Sequence, residues 1–243
     1  MSEENRATAP GPGPGEPIGT GRTADVFALP DGRVLRRYRE GAEAWADAHA
    51  EAELMAYLAG HGYPVPAAWP GERPADLLME RLAGPTLAQA VTTGAVAPDA
   101  AGRILADLLL RLHALPPRTG ARPGDRVLHL DLHPENVLLT ARGPVVIDWA
   151  TAAEGDPGLD VAMSAVVLAQ ALLGMPAFAD AAPAVLVPLL RALPPLTEPH
   201  LARARARRAA DPALDAADHA RLDAAVALVR ACAAAAAAAA SES

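Results

Sequence analysis

Apolar and polar positions follow a strand-like rhythm near the start of the chain and a helical one further on. Over residues 18 to 38, short apolar runs read as strands joined by tight turns. Gly19 and Gly21 punctuate the first connection, and Pro30-Asp31-Gly32 makes a hairpin turn between Val26-Phe27-Ala28-Leu29 and Val34-Leu35-Arg36. Residues 43 to 59 are rich in Ala and Glu at helical spacing, and Gly60 with Gly62 ends that helix. Pro64 and Pro66 lead into a largely apolar run, Asp76 to Leu82, read as another strand. From Leu87 onward helical patterns dominate. One region between Val127 and Asp160 interrupts them with short apolar runs, Val127-Leu128, Val137-Leu138-Leu139 and Val145-Val146-Ile147, set among polar residues. Strands plus one helix, then mostly helices, predict an α+β, bilobal fold. Its small lobe, an antiparallel sheet with one helix, is expected over residues 17–83, and a larger, mostly helical lobe over 84–230.

Composition fills in that outline. The 243 residues are 51% hydrophobic but only 3% aromatic, so the core is expected to be built from closely packed Ala, Leu and Val. Residues 1–16 are polar and rich in Pro and Gly, without the apolar stretch of a signal peptide, and read as a disordered leader. Residues 231–243 form a low-complexity Ala-rich tail, helical and frayed at its end. Val161 to Ala179 carries no charge, but its Ser164, Gln170, Gly174 and Pro176, with Pro183 and Pro188 beyond, suit a buried helix better than a membrane span. The formal net charge of −8 disfavours a nucleic-acid partner. Cys232 is the only cysteine, which rules out an intrachain disulfide and makes a cytoplasmic setting the default. The basic run LARARARR, residues 201 to 208, reads as a solvated helix face rather than an anion or partner site.

The chemistry concentrates in HLDLHPENVLLTARGPVVIDWA, residues 129 to 150. Phosphoryl transfer to a hydroxyl needs a carboxylate beside the attacking oxygen and oxygen ligands for Mg²⁺. Asp131 offers the carboxylate. Asn136, five residues on, returns to the same place if the loop is tight, and Pro134 tightens it. Asp148 follows an apolar run read as a strand and so faces a cleft from its end. Mg²⁺ prefers one or two carboxylates with phosphate oxygens and water, which this set supplies. Asp and Asn also cap ordinary turns. The combination of His, Asp, His, Asn and a strand-terminal Asp is harder to assign to turns alone.

HLDLHPEN resembles the catalytic loop of the aminoglycoside phosphotransferase and choline kinase superfamily, distant relatives of the protein kinases, and IDW is similar to its metal-binding motif. The resemblance spans roughly residues 17 to 165. It implies a protein-kinase-like fold, with Asp131 as catalytic base, Asn136 and Asp148 holding Mg²⁺, and His129 and His133 supporting the loop. It also matches Gly155-Asp156-Pro157 with Asp160, and Leu112-His113-Ala114-Leu115-Pro116, although His113 taken alone reads as a core or solvent-facing histidine.

On the nucleotide side, Ile18-Gly19-Thr20-Gly21-Arg22-Thr23 sits where such kinases cover the ATP phosphates, giving Gly19, Gly21 and Thr23 as candidates. The family's strand lysine is missing. Val34 and Arg36 share a strand face, so Arg36 is the candidate for its role, with Glu51 as partner and Glu53 second. Arg36 and Arg37 as surface charges are the plainer alternative. Met79, Glu80 and Leu82 match the hinge that meets adenine through backbone groups. Only seven residues separate Asp148 from Asp156, too few for the activation segment of a protein kinase. The expected acceptor is therefore a hydroxyl of a small molecule, aminoglycoside-like or another metabolite. Between Asp160 and Asp211 the only acids are Asp180 and Glu198, which argues against a strongly cationic substrate. The expected cofactors are ATP and Mg²⁺, with no nucleic-acid or membrane partner and a monomer or weak dimer. A nucleotide-binding pseudokinase acting through partner contacts is the alternative, motivated by Arg36.

Overall fold

The computed structural model describes residues 16–21, 23–41, 47–120, 122–175, 182–212 and 214–241. Most of the leader, Arg22 of the glycine-containing turn, and residues 43 to 46 of the first expected helix lie outside them.

The chain begins with β1 (Pro17–Thr20), β2 (Ala24–Ala28) and β3 (Arg33–Tyr38), then α1 (Ala48–Gly60), β4 (Ala68–Pro70) and β5 (Asp76–Glu80). These strands form one sheet in the order β1-β2-β3-β5-β4, antiparallel throughout. Gly32 turns the β2–β3 hairpin at φ 81°, a conformation that glycine adopts without steric cost. The first helix starts later than its composition suggests. Asp47 caps it, its carboxylate accepting from the backbone N–H groups of His49 and Ala50. Helix α1 packs on β4 and β5, with Met55, Leu58 and Leu77 fully buried.

Past Gly84 the helices take over. They are α2 (Leu87–Thr92), α3 (Pro98–His113), α4 (Pro157–Leu173), α5 (Ala182–Arg191), α6 (Glu198–Ala209) and α7 (Ala216–Ser241). Between α3 and α4 lie β6 (Arg126–Leu128), a 3₁₀ turn at Pro134–Asn136, β7 (Val137–Thr140), β8 (Gly143–Val146) and β9 (Ala153–Gly155). They pair as two small antiparallel ribbons, β6 with β9 and β7 with β8. The architecture is the expected α+β one, an antiparallel sheet with a helix followed by mostly helices.

Helix α4 is the centre of the helical core. Every residue from Asp160 to Gln170 is buried, so the uncharged run there is an interior helix enclosed by α5, α6 and α7. The two prolines beyond it do not break the next helix. Pro183 lies in the first turn of α5 and Pro188 inside it, where α5 lies tightly against Gly102 of α3. A Cβ on Gly102 would come within 2.3 Å of the Val185 carbonyl oxygen, so the two backbones touch only because the residue is glycine. In α7, Ala216–Ala239 is, among the described residues, the one helix long and apolar enough to cross a bilayer by length and composition. It packs on α4, α5 and α6.

Candidate active site

The loop from β6 to β7 is held from below by Asp160 at the first turn of α4. Its carboxylate is fully buried and accepts from the backbone N–H groups of His129 (3.0 Å) and Leu130 (2.7 Å), and from His113 Nε2 (2.9 Å). His113 is therefore part of this clamp rather than an ordinary core histidine. Leu130 sits at φ 66°, a left-handed conformation that an L-residue keeps only where its surroundings enforce it. The next residue is Asp131.

His129 fixes the same loop from inside. Its Nδ1 accepts from the Asp131 backbone N–H at 3.2 Å, so its Nε2 carries the proton and donates to the Ile147 carbonyl at 3.1 Å. One neutral tautomer thus ties the Asp131 backbone to the strand that leads to Asp148. Trp149 packs against the imidazole, with ring centroids 4.6 Å apart.

Asn136 closes the loop. Its Nδ2 donates to the Asp131 carbonyl at 2.9 Å and lies 3.4 Å from the Asp131 carboxylate. His133 caps the short turn that makes this return possible, and its Nε2 stands 3.7 Å from Asp131 Oδ2, too far for a hydrogen bond. Burial by itself would raise the Asp131 carboxyl. The nearby imidazole of His133, with a smaller contribution from Arg208, instead holds it below the usual aspartate value.

Asp148 lies just past the end of β8, at φ 64°. The β7–β8 register runs on for one more hydrogen bond past Val146, from the Ile147 N–H to the Asn136 carbonyl at 3.0 Å, so the pairing itself ties the residue before Asp148 to Asn136. Arg36 on β3 reaches it from the sheet. The guanidinium donates to Asp148 Oδ1 at 2.7 Å and to Glu51 Oε1 on α1 at 3.1 Å. Glu51 also accepts from the Tyr38 hydroxyl and from the Trp149 backbone N–H. Arg36 is 7% exposed, so it is no surface charge. Burial disfavours its charge, but Asp148 and Glu51 together hold the guanidinium protonated beyond its ordinary value. Burial pushes the Glu51 carboxyl up, against Arg36 and Tyr38, which pull it down. Glu53 takes no part; it faces Arg118 at 3.6 Å on the surface. Arg37 turns to Asp76.

These groups open on one cleft of about 840 Å³ between the sheet and the helices. Gly21, Thr23, Arg36, Met79, Glu80, Leu82, Asp131, His133, Asn136 and Asp148 all line it. Gly19 is not among the lining residues and faces Val26 across the β1–β2 pair, while Glu51 reaches the cleft only through Arg36. The Glu80 carboxylate is held by a two-pronged contact from Arg142 (2.8 and 2.7 Å), and its backbone N–H donates to the Ala67 carbonyl at 2.8 Å.

Residues 14–127 and 121–187 match the model of the phosphotransferase enzyme family, APH. The chain belongs to that family. It is accordingly a small-molecule phosphotransferase, a kinase acting on a hydroxyl acceptor. No curated protein matches it in sequence. Its fold is similar to that of solved aminoglycoside phosphotransferases. One is a thermostable mutant of APH(4)-Ia in ternary complex with AMP-PNP and hygromycin B, at 16% identity and TM-score 0.59, covering 87% of this chain and 92% of that one. Another is APH(3'')-Id from Streptomyces rimosus, at 18% identity and TM-score 0.55, covering 78% and 89%. A third is APH(2")-IIa in a streptomycin–ATP ternary complex, at 15% identity and TM-score 0.53, covering 80% and 84%.

The phosphotransferase cleft also contains residues that the sequence did not single out. Arg207 and Arg208, from the basic run read as a solvated face, line it at the end of α6. Arg208 donates to Gln170 and Asp211, Arg203 to Asp156 and Arg205 to Asp223. The signal was present: Leu201 and Ala204 are the buried positions of α6, and Arg208 continues their spacing of three and four residues.

Proposed function

We propose that this phosphotransferase moves the γ-phosphoryl group of ATP to a hydroxyl of a small molecule, with Asp131 as base and Asn136 and Asp148 as Mg²⁺ ligands. The observation that carries this reading is the convergence of Asp131, Asn136 and Asp148 on one cleft, with Arg36 bridging Asp148 to Glu51. The donor set suits the metal. The Asn136 amide nitrogen is committed to Asp131, which keeps Oδ1 as a ligand, and Asp148 keeps Oδ2 beyond its Arg36 contact. Hard oxygens from one carboxylate and one amide match the way Mg²⁺ binds alongside phosphates. When bound, Mg²⁺ neutralises charge that develops on the transferring phosphoryl group.

The protein's own part is positioning. Asp131, held by Asn136 and by the His129 and Asp160 clamps, receives the acceptor's hydroxyl proton as its oxygen attacks. Its carboxylate is already ionised, because His133 and its neighbours hold its proton affinity low. Arg36 supplies the fixed cation that the family's lysine usually provides, and takes the same kind of glutamate partner. Gly21 and Thr23 cover the phosphates, and the Met79–Leu82 segment meets adenine through its backbone. The setting is cytoplasmic, with no nucleic-acid or membrane partner.

The test is Mg²⁺-ATP turnover against a panel of hydroxylated small molecules. Acceptor-dependent ADP release should fall by about 10²–10⁴-fold in Asp131→Asn with the fold intact. Unaltered turnover in that variant would remove Asp131 as the base. The pseudokinase reading would gain from tight nucleotide binding without turnover. Against it stands the complete set of Asp131, Asn136 and Asp148, which a binding-only protein does not need.

A further inference from the structure

The wall of the cleft contributed by α6 differs in charge from what a polycationic acceptor would need. From Arg207 to Pro212 it presents Arg207, Arg208 and Asp211 beside Thr151 and the catalytic loop. Asp211 is already paired with Arg208 at 2.6 Å. Arg208 is rigidly held, its side chain only 12% exposed, with a second bond to Gln170 Oε1 at 2.8 Å. Gln170 is itself buried and anchored on the Asp218 carbonyl at 2.7 Å. Arg207 is exposed and pairs with no carboxylate among the described residues. Its one hydrogen bond is a 3.5 Å contact to the Thr151 carbonyl.

The position of this wall is fixed, not incidental. His200 and Arg203 of α6 both reach Asp156 at 3.2 Å, next to the start of α4. The His200 ring lies so close over Gly158 that a Cβ there would fall 2.3 Å from its Cε1. The two arginines also lie in the last turn of α6, where cations compensate the helix dipole. That role accounts for positive charge at this end but not for its placement on the wall that faces Asp131. Arg207 and Arg208 line the same cleft as Asp131.

We infer that the acceptor is a hydroxylated small acid whose carboxylate or phosphate is received by Arg207 and Arg208, and not a polyamine such as an aminoglycoside. This inference rests on the phosphotransferase reading above. An acid docked on this wall places its hydroxyl toward Asp131 and meets a guanidinium fork suited to either anion. An ammonium group there would meet a free arginine and one carboxylate already spent.

The test compares gluconate and glycerate (carboxylates), glycerol phosphate (a phosphate ester), glucose (neutral) and kanamycin (polycationic). Each is measured by ADP release with Mg²⁺-ATP, and by thermal shift with Mg²⁺ and AMP-PNP. The expected result is turnover or a melting shift with a carboxylate or phosphate probe, at concentrations where glucose and kanamycin give none. The separate arms show which anion is preferred. Arg207→Gln, an exposed position, should raise the KM or apparent Kd for that probe about 10–100-fold, with a smaller effect on kcat. Arg207→Lys should recover part of the loss. Preference for kanamycin, no response to any anionic probe by a protein that binds nucleotide, or equal anion binding by Arg207→Gln would each overturn the inference. Failure to bind Mg²⁺-nucleotide at all would instead overturn the function on which it rests.

Discussion

Asp160→Ala tests the clamp under the catalytic loop. The wild-type carboxylate is fully buried and accepts three hydrogen bonds, two from backbone N–H groups and one from His113. Truncation leaves both backbone donors buried without a partner. Each orphaned donor costs about 1–3 kcal/mol, so the pair alone gives about 2–6 kcal/mol. For a chain of this length about 4 kcal/mol corresponds to a fall in melting temperature of roughly 8–16 °C. The catalytic loss is argued separately. Without the clamp, Leu130 has no reason to stay in the left-handed region, and its relaxation moves Asp131 beside it. A displacement on the order of 1 Å costs about 10²-fold in rate. Urea unfolding followed by circular dichroism gives the stability, and ADP release on the folded fraction gives the rate. A loss of stability below about 1 kcal/mol, with turnover like the wild type, would show that the three hydrogen bonds do not set the loop's geometry.

Arg36→Met strands Glu51 and Asp148 without their shared cation and should destabilise by about 3–5 kcal/mol, with part recovered when Glu51→Gln is added; additive losses in a double-mutant cycle would deny the coupling. Gly158→Ala must push His200 away and should cost about 1–3 kcal/mol while weakening acceptor binding through α6; an unchanged melting temperature and acceptor KM would show that α6 is anchored elsewhere. The Asp131 carboxyl should titrate below its ordinary 3.8. Being depressed in the folded state, its contribution to stability is present above that value and is lost as pH falls through the folded pKa, and its ionisation leaves turnover flat from about pH 5 upward. Carbon NMR of Asp131 titrating above 3.8 would mean that burial outweighs His133.

The sequence was most legible where local chemistry alone dictates form. The Pro30-Asp31-Gly32 hairpin follows from turn residues, the interior helix α4 from an uncharged run, and the alignment of Arg36 with Val34 from the two-residue period of a strand. The loop from His129 to Asn136 was legible because its partners lie within a few residues, close enough for one tight turn to bring them together. What tertiary structure decided lies at long sequence distance. Arg36 meets Asp148 across 112 residues, and Asp160 reaches back to the Leu130 N–H across 30. Whether Glu51 or Glu53 faced Arg36 depended on which side of α1 met the sheet, and packing put Glu51 inside and Glu53 on the surface. The basic run of α6 shows the limit most clearly. Its charge favoured solvent, yet Leu201 and Ala204 had to be buried, and the helical period then carried Arg208 to the cleft wall with them. Composition sets what a residue prefers by itself. The burial of its neighbours on a rigid helix sets where it goes.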